Sequence, residues 1–158
     1  MNSHHTVAIG TWEGDKQQSI EYNSSIAVGI DCPRAKLRVS ILLDTIQEYQ
    51  VRYIFSDEEI SEVVNEAGLI IGARGIAYEG VLQRKPVIVV GEYGFGGLVT
   101  PDTLHEQYNN YFRGKINGIK AEYFSLERLE EEIRRGFALT FQELQMMSNQ
   151  TIRFLHNI

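Results

Sequence analysis

The chain has 158 residues, 43% of them hydrophobic and 23% charged, and a formal net charge of -6. That length suits one domain that buries roughly 70% of the surface its unfolded form exposes, and the composition excludes fibrous and long disordered classes. The acidic balance speaks against nucleic acid as a partner, because a grip on a phosphate backbone needs a clustered basic surface.

In chain order, residues 6–10 (TVAIG) and 25–30 (SIAVGI) read as strands, and the weak periodicity of residues 11–24 predicts a long loop between them. Pro33 is placed to begin a helix with Val39, Leu42, Leu43 and Ile46 on one apolar face. VRYIF (51–55) reads as a strand running into a capping box from Ser56 to Glu59, and Ile60, Val63, Val64 and Ala67 make the inward stripe of the next helix. GLIIG (68–72) predicts a strand, residues 75–84 a helix closed by Lys85-Pro86, and PVIVV (86–90) a strand covered on both faces. Strands alternating with helices imply an α/β fold with a parallel sheet.

After a glycine-rich segment, Thr100, Pro101 and Asp102 predict a helix start and Gly114 its end, and KAEYF (120–124) predicts a last strand. Ser125 is placed to cap a helix with Leu126, Leu129 and Ile133 inside, interrupted at Gly136. Thr140 and Glu143 form a second capping box, opening a terminal helix whose Phe141, Leu144, Met147 and Leu155 are expected to pack on the sheet. No repeat or linker divides the chain, so residues 1–158 are read as one domain.

In open parallel sheets ligands sit beyond the carboxyl ends of the strands, where the strand-to-helix loops emerge. Two such loops stand out: Gly72, Ala73, Arg74, Gly75 and Ile76, and the stretch containing Gly91, Glu92, Tyr93, Gly94, Gly96 and Gly97. Gly72 and Gly75 would allow a sharp bend and close approach, a helix start offers free N–H groups to an anion, and Arg74 adds a charged fork. Glu79, about one turn further on, is placed to accept from sugar hydroxyls or to sit as a solvated helix residue. The glycines of the second loop fit a flexible lid or a close backbone approach, with Tyr93 and Phe95 available either to cover a base or ribose or to pack in the core. Arg113, Lys115 and Lys120 form a modest basic stretch near the same edge, which reads more often as solvated surface than as a phosphate clamp.

Other chemistries fail on their motifs. The glycines at 91–97 do not spell G-x-G-x-x-G entering a helix, which disfavours a nicotinamide cofactor, and a Walker loop and a G-x-S-x-G elbow are absent. His105-Glu106 lacks the second histidine of a metalloprotease helix, so no metal is expected. The single cysteine, Cys32, allows neither an internal disulfide nor a cysteine zinc cluster. No run approaches the ~18–20 apolar residues of a membrane span, and MNSHHTVAIG does not read as a secretory signal. The expected location is the cytoplasm, without a transmembrane segment.

The segment GLIIGARGIAYEGVLQRKPVIVVGEYGFGGLV (68–99) resembles the carboxyl-terminal, donor-binding half of the two-Rossmann-domain glycosyltransferases called GT-B, and the similarity runs from about Val51 to Gly136. The resemblance implies a Rossmann-like three-layer domain with a mainly parallel sheet, half of a GT-B architecture. It implies that Glu79 holds the ribose of a UDP-type nucleotide sugar, that Gly72 to Gly75 meet the diphosphate, and that no further cofactor is needed. Non-hydrolysing nucleotide-sugar 2-epimerases share the turn, but their paired glutamate is replaced here by Gly80. The second glutamate of many retaining glycosyltransferases, eight positions before Glu79, is Ile71 here. The expected function is therefore a donor-binding domain or subunit for hexosyl-type transfer, working with an amino-terminal acceptor-binding domain or a separate chain. A 2-epimerase fragment and a noncatalytic protein-interaction domain are the alternatives.

Overall fold

The computed structural model describes residues 5–7, 12–13, 16–17, 20–54, 59–115, 118–120 and 122–156. Two short antiparallel pairs come first: β1 (His5–Val7) with β4 (Ile20–Tyr22), and β2 (Trp12–Glu13) with β3 (Lys16–Gln17). The stretch expected to be one long loop thus carries strands, each too brief for alternation to register as a pattern. Thr6 and Val7 are in a strand as expected, and residues 8–10 lie outside the described residues.

The main sheet has five strands: β5 (Ser25–Gly29), β6 (Gln50–Tyr53), β7 (Leu69–Gly72), β8 (Val87–Gly91) and β9 (Gly94–Leu98). Their order is β6-β5-β7-β8-β9, with the first four parallel and β9 antiparallel to β8. The helices are α1 (Pro33–Ile46), α2 (Ile60–Glu66), α3 (Gly75–Leu82), α4 (Leu104–Asn109), α5 (Leu126–Phe137) and α6 (Phe141–His156). This is an α/β, Rossmann-like arrangement.

The period of two along each strand divides the core. Ile26, Val28, Leu69, Ile71, Ile88 and Val90 face a layer formed by α1 and α5, through Val39, Leu42, Leu129 and Ile133. Ala27, Ile70, Val87 and Val89 face the other side, where Val63, Val64, Ile76, Val81, Leu104 and Met147 cover them. Every residue of β7 and β8 is buried, which explains their uninterrupted apolar sequence.

The fifth strand is the glycine-rich segment expected to be a flexible lid or a place of close backbone approach. Glu92 and Tyr93 make a tight turn, and β9 returns along β8 with a register shift at Val89/Val90 that leaves Gly96 as the extra residue. Gly94 and Gly97 adopt φ 123° and 80°, and a Cβ on Gly97 would lie 2.7 Å from the Glu132 carboxylate. That carboxylate is buried, accepts the Leu98 N–H at 3.1 Å and pairs with Arg135 at 2.7 Å. The glycines therefore serve a bulged edge strand. KAEYF forms no strand among its described residues: Tyr123 N–H turns back to the Lys120 carbonyl, and buried Phe124 stacks on Phe95 at 4.7 Å.

Several boundaries also differ. Ser56 of the expected capping box lies outside the described residues, and α2 begins at Ile60 without a side-chain cap. Thr100 to Thr103 form a hydrogen-bonded turn, so α4 starts at Leu104 and ends at Asn109, well before Gly114. The expected caps at Ser125 and at Thr140/Glu143 are present. Gly136 does not interrupt α5. A Cβ there would lie 2.9 Å from Leu69 Cδ1, so this glycine lets the helix approach the sheet. Phe141 and Leu155 are exposed, because α6 docks on α3, with Met147 buried and Ser148 donating to the Leu82 carbonyl at 2.8 Å.

In α3, a Cβ on Gly80 would stand 2.6 Å from Val87 Cγ2 and 3.1 Å from Ile70 Cγ1. Gly80→Ala is expected to destabilise the fold by about 1–3 kcal/mol through overpacking, outweighing alanine's helix preference of about 1 kcal/mol. Urea denaturation measures this directly.

Candidate functional site

The strand order reverses at β5. The chain leaves β5 into α1 on one face of the sheet and leaves β7 into α3 on the other, so these connections part above adjacent strand ends. A crevice at such a reversal is the usual ligand site of an open α/β sheet. Here it is a cavity of about 610 Å³, lined by Gly29, Asp31 and Lys36 on the β5 side and by Arg74, Gly75 and Ile76 on the β7 side. At its base the Ile76 side chain packs over the strand end, and a Cβ on Gly29 would lie 2.7 Å from Ile76 Cδ1. Gly29 and Gly72 are partners across the two strands, and a Cβ on Gly72 would meet the Gly29 carbonyl oxygen at 2.5 Å.

The bend from β7 into α3 is made by Arg74, with φ 55° and ψ -125°, and not by the glycines beside it. An L-residue holds such a conformation only when its surroundings fix it. The fixing contact is the Arg74 N–H donating to the Phe112 carbonyl at 2.9 Å, while Ala73 N–H donates to the Gly29 carbonyl at 3.3 Å. No side chain caps α3, and among the described residues the amides of Gly75, Ile76 and Ala77 have no hydrogen-bond partner. These orphan donors lie at the positive end of the helix dipole, an arrangement that favours an anion.

Arg74 also faces the turn between β8 and β9. Its NH2 lies 2.8 Å from Glu92 Oε1, and Arg113 Nε approaches the same oxygen at 3.2 Å. A cavity of about 230 Å³ opens beside them, with Asp31 and Cys32 on its far wall. Another, of about 340 Å³, lies between Arg74, Arg113 and the aromatic side chains of Tyr78, Tyr108 and Tyr111. Tyr111 and Phe112 have φ 55° and 53°, so three of the left-handed residues in the described chain line this one cavity. Among the described residues the shielded Tyr78 hydroxyl has no hydrogen-bond partner, and burial, with Tyr108 and Glu79 nearby, pushes its phenol up from the ordinary value.

Of the expected site residues, Ala73 to Ile76 line the crevice, Gly72 is buried beneath the Ile76 side chain, and Gly91 and Glu92 reach the same edge through Arg74. Tyr93 lies under the Arg113 guanidinium, 5.6 Å from it, and its hydroxyl accepts from Arg113 at 3.0 Å. Gly94, Gly96 and Gly97 run along β9, and Phe95 is buried in the core. Glu79 is on another flank of α3, accepting from Gln83 at 2.9 Å, and lines none of these cavities. Sequence reasoning did not single out Asp31 and Lys36, and it ranked Arg113 as solvated surface ahead of a phosphate clamp at this edge. The signal for the first two was a strand ending in glycine just before a proline-initiated helix, the same strand-to-helix junction as at Arg74. Among the described residues, no group of three or more His, Cys, Asp or Glu is placed to share a metal ion.

Arg74→Gly is expected to stabilise the fold by about 1 kcal/mol by relieving the left-handed strain, and to weaken anion binding by removing the guanidinium. Thermal melting and phosphate titration on the same protein read the two effects. No protein-family model matches the chain, and no curated protein matches it.

Proposed function

We propose that this chain is the donor-binding domain or subunit of a glycosyltransferase, holding a nucleoside diphosphate sugar, uridine-based, for transfer to an acceptor carried by another domain or chain. The observation that carries this reading is the uncapped start of α3, which opens on the strand-reversal crevice beside the Arg74 guanidinium. Diphosphate chemistry matches those groups. Free amides and a guanidinium stabilise the negative charge that grows on a departing nucleoside diphosphate, and they need little rearrangement to do so.

Two carboxylates are candidates for the ribose hydroxyls. Asp31 lines the crevice, whereas Glu79 would have to leave Gln83. The geometry favours Asp31. The acceptor and its general base belong to the partner in this reading, and the site of action is the cytoplasm. No described helix is long and apolar enough to cross a membrane.

Thermal melting with UDP and with GDP tests the reading. A nucleotide at 100 times its dissociation constant adds about 2.7 kcal/mol to the folded state, and the expected outcome is a rise with UDP. Arg74→Gln should weaken UDP binding roughly 10- to 100-fold, the scale of a lost charged hydrogen bond. Asp31→Asn should weaken UDP but not pyrophosphate, and Glu79→Gln should leave both unchanged. A reversed pattern returns the ribose to Glu79. If neither nucleotide shifts melting, the donor-binding assignment fails and a noncatalytic interaction domain takes its place.

A further inference from the structure

Glu92 stands between two arginines that come from separate parts of the chain. Its Oε1 is 2.8 Å from Arg74 NH2 and 3.2 Å from Arg113 Nε, and the Arg74, Glu92 and Arg113 side chains are 51%, 46% and 32% exposed. Without an anion there, the two guanidinium groups would repel. The two contacts are unequal: Arg74 NH2 donates a hydrogen bond to Glu92 Oε1, whereas Arg113 Nε is shielded from solvent and has no hydrogen-bond partner among the described residues, so its approach to Glu92 is ionic only. Ion pairs between side chains this open to water are weak and readily exchanged. A phosphate offers more acceptor oxygens and more charge to the same planar forks than a carboxylate does.

We propose that the Arg74–Arg113 pair is a phosphate seat, that the Glu92 carboxylate occupies it in the ligand-free protein, and that an incoming diphosphate displaces Glu92. The inference rests on the anion-binding reading above and adds a specificity-determining residue to it. One phosphoryl group meets the Gly75–Ala77 amides and the next takes the place of Glu92, so a ligand with two adjacent phosphates fills both positions and a monophosphate fills one. The exchange needs only side-chain rotation. The turn itself stays anchored, because Tyr93 N–H donates to the Arg113 carbonyl at 2.9 Å and Phe95 N–H to the Ile119 carbonyl at 2.8 Å.

Calorimetric titration of the full chain with pyrophosphate and with orthophosphate tests this. Glu92→Gln keeps the shape of the side chain and removes its charge, and is expected to tighten pyrophosphate binding about 3- to 10-fold, the scale of weak surface ion pairs. The gain should vanish when Arg113→Gln is added, and orthophosphate should bind more weakly than pyrophosphate throughout. Melting curves without ligand establish that each variant is folded, and Glu92→Ala repeats the charge removal with a different side chain. If the wild type binds pyrophosphate and Glu92→Gln binds it equally or more weakly, Glu92 is a positioning partner of the arginines and this inference is overturned, while the donor-binding reading stands. If neither protein binds pyrophosphate, the anion site itself is lost and both proposals fall.

Discussion

One hydrogen bond, from the Arg74 amide to the Phe112 carbonyl, holds the site in its present form. It joins two bends that are each unfavourable alone, since Arg74, Tyr111 and Phe112 all have left-handed φ. Beyond this bond α3 begins, and its first three amides have no partner among the described residues, with Gly75 and Ile76 lining the crevice. The segment holding Phe112 also accepts the Tyr93 amide through Arg113, so one stretch of chain fixes both the β7–α3 bend and the tip of the β8–β9 hairpin. Strain of this kind persists where a rigid framework over-determines it.

That framework is the doubly covered sheet. Alternating side chains on β5, β7 and β8 bury both faces, which holds the ends of these strands in register. On the far side of β8 the edge is managed by β9, α5 and the buried Glu132, which accepts the Leu98 amide. A buried charge is tolerable only when paired and hydrogen-bonded, and Glu132 has Arg135 at 2.7 Å for the purpose. Glycine at 97 leaves room for that carboxylate.

The sequence was most legible where burial dictates residue type. The apolar runs of β7 and β8, the stripes of α1 and α5, and the caps at Ser125 and Thr140 all have a local cause and appear where periodicity puts them. The glycines at 94, 96 and 97 misled because the same residue type marks both loops and bulged strands, and only pairing with β8 distinguishes them. KAEYF misled in the opposite direction: its β-formers reflect the burial of Phe124 against Phe95, with no strand pairing. At the crevice, a bend beside Arg74 was visible as a motif, although it was assigned to the flanking glycines, whereas Asp31 and Lys36 reach the crevice through topology and Arg113 reaches Arg74 from a distant turn, which no local pattern encodes.

The paired glycines under the crevice have an implication for how such a pocket diversifies. Because Gly29 and Gly72 leave free the space that side chains would fill, Ile76 settles onto the two strand ends and floors the basin with an apolar side chain, which offers a ligand no directional contact. Discrimination between ligands then belongs to the surrounding rim, at Asp31, Lys36 and Arg74, none of which contributes an apolar side chain to the interior. Ligand preference in this architecture can therefore drift by exchange of rim residues while the supporting scaffold is left as it is.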